Sequence, residues 1–599
     1  MRSLVVIVLL TRVLSAQTTP EIRKAAERAL PPLENSTATF VAKRTCFSCH
    51  HNGLSILTFR LARTRGLAVD SAALATVEDK TFRVLRGPQA LDDAVQATVL
   101  DEPTPNDSYL LMAAHAAQLR SDLTTEVYAR RIANWQRNGH WVTSDFRPPH
   151  SSSLFTSTAT AIRAISFYMP EELRTERDAS FLQARRWLVA TRPVSTEDAS
   201  FRLMGLVWAG AGAGEIAAAR RDLLAMRTSG GAWPELSAYP PDAYSTGEAL
   251  YALHESGMPV SDRDWRAGLR FLLTTQAPDG TWRIGTRMIS PAEVSPAYFT
   301  TGFPYGKDEY LSYAGSAWAT MALLTALPAV RNPNEDIPVA SQSGSGDAPS
   351  WARTALFGSA KDLTALLDNG LSPNSRTASG TTLLMMAASD ESRVRLLLDR
   401  GADAEARSKS GIDALTVASM YRGTASSLRL LLGAGSGKTV DDVAPEDVRI
   451  KNPPLVRASR SGDMENVKLL LDRGFDPSDG LSQAVTYGYP DIARLLIAAG
   501  ASAHGTESSG INLLHWAAIT NHPEVIPALV EAGVEINTTD EFGFTPLMYA
   551  ATIDFGDARV LNALLSAGAD PTIRNQDGRT AIEQARYFRH RMLEAALHK

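Results

Sequence analysis

The chain has 599 residues, 44% hydrophobic and 21% charged, with a formal net charge of −5 and two cysteines. That length exceeds what one core supports and implies about two to four domains. The small charge, with no block of Lys or Arg, argues against nucleic acid as a partner, and a single Cys pair excludes a disulfide-built secreted fold.

Residues 1–16 read as an export signal: Arg2 supplies a basic start, Leu4 to Leu10 an apolar run, and Leu14-Ser15-Ala16 a cleavage site before Gln17. A periplasmic or secreted protein is expected. No later run reaches the roughly eighteen apolar residues of a membrane helix, so no membrane span is predicted.

Residues 46–50 read Cys46-Phe47-Ser48-Cys49-His50 and use both cysteines of the chain. C-x-x-C-H is the attachment pattern of a c-type haem (heme c). Two thiols at this spacing reach both vinyl groups of one porphyrin, and the next imidazole meets the iron. Cys46 and Cys49 are therefore predicted to bind haem covalently and His50 to be an axial iron ligand. The alternative is a disulfide or redox C-x-x-C pair; a zinc site would need a second ligand pair, which the sequence does not supply. Four residues are sixth-ligand candidates. His150 follows Pro148-Pro149 in a loop expected to be exposed, and His140 lies in the Gly139-His140-Trp141 turn. Met112 and His115 fall on the Ala-rich helix predicted over Tyr109 to Leu119.

From residue 40 to about 330 the chain reads as helical. Gly268-Leu269-Arg270-Phe271-Leu272, Gln276 and Gly280-Thr281-Trp282 form a landmark, with weaker copies at Gln136 with Gly139-His140-Trp141 and at Gly231-Ala232-Trp233. Ala-rich helices are predicted after each copy, over Thr156 to Phe167, Ser245 to Leu253 and Gly315 to Leu327. This element resembles the Q-x-x-x-G-x-W motif of the squalene-hopene cyclase and related terpenoid-cyclase family. The resemblance implies that residues 17–330 form an α/α toroid of helical hairpins, with Trp141, Trp233 and Trp282 as packing residues. The family's acidic D-x-D-D string is missing: Asp92-Asp93 is a lone pair and Asp242 reads as an isolated carboxylate. The resemblance is taken as architecture, and no catalytic residue is assigned.

Residues 331–350, with Pro333, Pro338, Pro349 and the run Ser341 to Gly346, read as a flexible linker that gives some hinge freedom between the halves unless docked helices suppress it. Residues 351–599 repeat with a period of about 33. A Leu pair followed by Gly recurs at Leu366-Leu367 with Gly370, Leu397-Leu398 with Gly401, Leu495-Leu496 with Gly500 and Leu564-Leu565 with Gly568. A second phrase opens units at Thr382-Leu383-Leu384, Leu513-Leu514-His515 and Thr545-Pro546-Leu547. This resembles the ankyrin family, which implies paired helices stacked into a protein-binding solenoid. The spacing from Gly474 to Gly500 is 26 residues, which predicts a clipped finger. Gly433 to Thr439 (GAGSGKT) lacks the first Gly of a phosphate loop and closes a helix, so it is not read as a nucleotide site. His515 is read as turn scaffolding.

The expected fold is all-α: an α/α toroid followed by an ankyrin-repeat solenoid. The expected function is an exported haem scaffold for electron transfer or for redox or gas sensing, whose ankyrin surface holds a protein partner. Two alternatives stand beside it: a toroid enzyme acting on an apolar or polysaccharide substrate, and an interaction scaffold without haem.

Overall fold

The computed structural model describes residues 18–43, 50–100, 103–150, 152–287, 300–330, 348–437, 453–506 and 509–598. The predicted export signal, Cys46, Cys49, most of the predicted linker and the Lys438-Thr439 end of the GAGSGKT string lie outside these residues. So does the side chain of His50. The described residues are helical, with no β-strand and only isolated bridges between them. None of their helices is long and apolar enough to cross a membrane.

Among the described residues, thirteen α-helices precede residue 330. They are α1 (Thr19–Lys43), α2 (His50–Thr64), α3 (Ser71–Phe82), α4 (Ala90–Gln96), α5 (Ser108–Ala116), α6 (Leu123–Asn134) and α7 (Leu154–Tyr168). They continue as α8 (Arg174–Ala190), α9 (Thr196–Trp208), α10 (Ala213–Ala225), α11 (Ala243–Glu255), α12 (Arg263–Thr275) and α13 (Glu309–Thr325). Helices α7 and α11 contain two of the predicted Ala-rich segments, while α13 and α5 cover the other two but end short of the predicted Leu327 and Leu119, at Thr325 and Ala116.

Composition sorts these helices. Along α13 nearly every residue from Leu311 to Thr325 is buried, whereas α12 buries only Trp265, Gly268, Leu269 and Leu272. A helix apolar or small all round belongs inside, and one with a single stripe belongs at the surface. Packing follows that rule. Helix α2 touches α5, α5 touches α7, α7 touches α9, α9 touches α11, α11 touches α13, and α13 returns to α2. One-stripe helices lie against this inner set, α8 on α7 and α9, α10 on α9, α12 on α11 and α1 on α13, together with α6 on α7, which is buried on more than one side.

The three Gly-x-Trp turns share one geometry. Each Trp is buried, and its indole N–H donates to a carbonyl of the preceding helix: Trp141 to Ile132 at 2.5 Å, Trp233 to Leu223 at 2.8 Å and Trp282 to Leu272 at 3.0 Å. Each Trp backbone N–H donates to a hydroxyl of the following inner helix, on Thr158, Thr246 or Ser316, at 3.1 Å. The ring thus fills the gap between hairpins while supplying a helix-end carbonyl with a donor. At Gly280 (φ +90°) a Cβ would lie 2.0 Å from the Arg28 carbonyl oxygen of α1, so only glycine lets the last turn close onto the first helix.

From residue 348 onward the helices come in pairs. The first helix of a unit starts at Leu383, Ala414, Leu513, Pro546 or Ala581, each thirteen residues after the preceding unit's Gly370, Gly401, Gly500, Gly533 or Gly568. After Gly474 the next helix starts at Ser478, so the clipped finger is present as expected. The Gly433 to Gly437 segment ends the helix Ala425–Gly433 rather than opening one. His515 bonds Asn512 through Nδ1 at 2.8 Å and the Phe544 carbonyl through Nε2 at 3.0 Å, tying neighbouring units together.

The expected hinge freedom is corrected by direct contacts between the halves. Gln96 of α4 donates to Thr381 at 2.6 Å and accepts from Ser408 at 2.7 Å, and its carbonyl accepts from Arg457 at 2.8 Å. Arg353 bridges Glu126 and Glu172 at 2.9 Å. Further along, Trp135 meets Tyr487 edge-on, Arg137 covers the Tyr489 ring at 4.5 Å, and Asn134 and Arg422 hold each other. Many of these repeat residues lie in or just after first helices, so the array grips the helical domain with that side.

Candidate functional site

The polar interior is built from the first turns of successive inner helices. Glu197 is the second residue of α9, and its two oxygens accept from Thr156 of α7 and Tyr244 of α11, both at 2.6 Å. Tyr244 has one proton and gives it to Glu197, so His150 Nδ1, 3.0 Å from the Tyr244 oxygen, is the donor in that contact. Glu235 is placed by Thr196, whose N–H and hydroxyl donate to the Glu235 and Pro234 carbonyls at 2.9 and 2.6 Å. Its carboxylate accepts from Ser245 at 3.1 Å and from the Glu197 backbone at 3.3 Å. Asp242 caps α11 by accepting from the Ser245 N–H at 2.8 Å. Glu248, one turn further along α11, is fully buried, and its carboxyl meets that of Glu197.

Burial outweighs the helix N-termini here. It pushes Glu197 up to about 8, helped by the Glu235 charge, and Glu235 up to about 7 against the pull of Arg287. Asp242 rises to about 6 and Glu248 rises well above the carboxylate range, again chiefly through burial. Glu197 and Glu248 face each other with no cation between them, so the pair holds a proton at neutral pH. The sequence reading of Asp242 as an isolated carboxylate is corrected: it is half-buried and lies beside the buried acids Glu197, Glu235 and Glu248.

Arg287 is the cation that pairs with these acids. It lies 3.4 Å from Glu235 and 3.8 Å from Asp554 of the repeat array, and donates to the Asp554 carbonyl at 2.6 Å. Tyr239 donates to the Asp554 carboxylate, and Leu236 packs on Gly556. Between the two halves lies a cavity of about 450 Å³, whose walls include Glu197, Asp198, Glu235, Arg287, Trp187 and Tyr489.

The expected sixth ligands separate. His150 is corrected from an exposed loop residue to a fully buried one, because its loop folds inward and its imidazole reaches Tyr244. Next to the haem motif, His51 is buried between the rings of Phe40 and Tyr313, at 4.4 and 3.7 Å. Burial lowers both His51 and His150 to about 3, and His51 is lowered further by His150, so the two share one interior. His140 is half-buried, stacks on Trp187 at 4.9 Å and lines the cavity. Met112 is half-buried on α5, and His115 stacks on Phe167 at 3.4 Å, away from this network. Among the described residues, no group of three or more His, Cys, Asp or Glu is placed to hold a metal ion.

The sequence reading missed Glu197, Glu235, Glu248 and Arg287. A signal existed for one of them: Ser195-Thr196-Glu197-Asp198 opens a helix of small and apolar residues, so its acids start at a helix bound for the interior. No curated protein matches the chain. The ankyrin-repeat family matches residues 481–575 in three copies, so that stretch is made of ankyrin repeats, a type of unit that suggests a protein-interaction scaffold.

Proposed function

We propose that the chain is an exported, c-type-haem-bearing α/α toroid clasped by its own ankyrin array, acting in electron transfer or redox sensing with a protein partner. One observation carries the reading: the string Cys46-Phe47-Ser48-Cys49-His50 runs directly into α2, an inner helix whose first turn shares its buried surroundings with His150. Cys46 and Cys49 would hold the porphyrin by thioether bonds, with His50 on the iron. His150 fits the sixth position by its chemistry, being neutral at physiological pH and oriented through Nδ1 by an outer partner, as ligand histidines are. Bound haem would supply reversible one-electron exchange at its iron. Closure of the inner helices from α13 back to α2 supports the toroid. The clasp occupies the array's first-helix side, which leaves the outer helices for the partner.

The test is purification from a host that attaches c-type haem in its periplasm. A Soret band and a haem-sized increase in mass are expected, both lost in the Cys46→Ala/Cys49→Ala double variant while helical content is kept. Wild-type protein lacking both signals would refute the haem reading.

A further inference from the structure

The cavity between the two halves has features the haem reading does not use. Its volume of about 450 Å³ falls within the roughly 300–1,000 Å³ of small-molecule sites. Two carboxyl groups, Glu197 and Glu235, reach its wall from adjoining segments, and both residues are at least 95% buried. Their environments differ. Glu197 accepts from the hydroxyls of Thr156 and Tyr244 and meets the carboxyl of Glu248. Glu235 accepts from Ser245 and lies beside Arg287. Burial raises both carboxyls, but the guanidinium holds Glu235 below Glu197, so Glu197 keeps its proton the longer, and that ordering separates a general acid from a general base. The remaining wall mixes flat aromatic surface from Trp187, Tyr489 and Phe555 with polar groups of Asn138, Arg192 and Thr520. Aromatic faces with polar groups around them suit a sugar ring, which has an apolar face and a hydroxylated edge.

We propose that this cavity is a glycan site where Glu197 and Glu235 act as the acid and base of glycoside hydrolysis. In the step, Glu197 gives its proton to the glycosidic oxygen as the bond from that oxygen to the anomeric carbon breaks. A water molecule forms the new bond to that carbon and yields its proton to Glu235. The sugar leaves with a new hydroxyl, the aglycone leaves with the Glu197 proton, and the Glu235 proton returns to Glu197 through solvent. No redox change occurs, so the inference stands apart from the haem.

The experiment uses the full-length protein and a panel of aryl glycosides and soluble polysaccharides, read by chromophore and reducing-end release. Hydrolysis of at least one sugar class is expected, with Glu197→Gln and Glu235→Gln each lowering kcat at least 100-fold at unchanged helical content. The falling alkaline limb of the pH profile, set by Glu197 among Glu235, Glu248, Asp198 and Tyr244, should disappear in Glu197→Gln. Azide should restore turnover to Glu235→Ala, which a merely structural role would not allow. The Cys46→Ala/Cys49→Ala variant should keep the hydrolysis, separating it from the haem reading. No release from any member of the panel, or variants as active as the wild type, would overturn the proposal.

Discussion

Replacing Glu197 with glutamine should weaken the helical domain at pH 4 and strengthen it at pH 8. The wild-type carboxyl is raised from 4.5 to about 8, mainly by burial. A group raised in the folded state contributes stability that is fully present below its unfolded value and is lost as pH rises through its folded value. The window therefore runs from about 4.5 to about 8. With a tenfold change in proton affinity worth about 1.4 kcal/mol, the loss across that window is on the order of 5 kcal/mol as an upper bound. Glutamine does not titrate and escapes that loss. It cannot accept on both sides, so one of the bonds from Thr156 and Tyr244 must rearrange, at about 1–2 kcal/mol and at every pH. The variant should thus be less stable by about 1–2 kcal/mol at pH 4 and more stable by about 1–3 kcal/mol at pH 8. Full-length protein is melted at several pH values, following the helical transition against the wild type. His51 and His150 contribute the opposite slope as pH falls from 6.5 toward about 3, identically in both proteins, and so cancel in the difference. A difference in melting temperature that does not change with pH would refute the reasoning.

Gly280→Ala should cost about 3 kcal/mol or more, because its Cβ would meet the Arg28 carbonyl at 2.0 Å in a left-handed backbone. Gly257→Ala, also left-handed but with nothing within 4 Å, should cost about 1 kcal/mol, and paired thermal melts check the difference. Arg287→Ala and Asp554→Ala should each destabilise the join between the halves. Their double-mutant cycle should show a coupling of about 1–3 kcal/mol, read by melting. A fragment of residues 348–599 should be helical by circular dichroism, through stacking of its units. It should melt at a lower temperature than the array in the intact chain, because Arg457, Tyr487 and Tyr489 lose their partners on the helical domain.

Local chemistry wrote much of the fold into the sequence. The Leu-Leu and Gly phrases place each repeat helix because glycine ends a helix wherever the chain must turn left-handed, which needs no distant partner. The Gly-x-Trp turns were legible for a similar reason: Trp233 bonds Leu223 and Thr246, only ten and thirteen residues away. The burial of His150 was not legible. Pro148-Pro149 marks a loop, and a loop is ordinarily at the surface, but the first turns of α7 and α11 draw this one inward onto Tyr244. The linker misled in a similar way, since proline and serine composition describes the connecting chain and not the contacts of what it connects.

The sequence by itself determined the helices, the repeat register, the clipped unit after Gly474 and the chemistry offered at Cys46, Cys49 and His50. These depend on residues a few positions apart. Only the tertiary structure decided that Glu197, Glu235, Asp242 and Glu248 come together, and that Arg287 pairs with Glu235 on one side and, across 267 residues of chain, with Asp554 on the other. Separated acids become a site only when closing helices remove the water between them. The energy of that removal depends on which helix ends meet, and no local pattern records it.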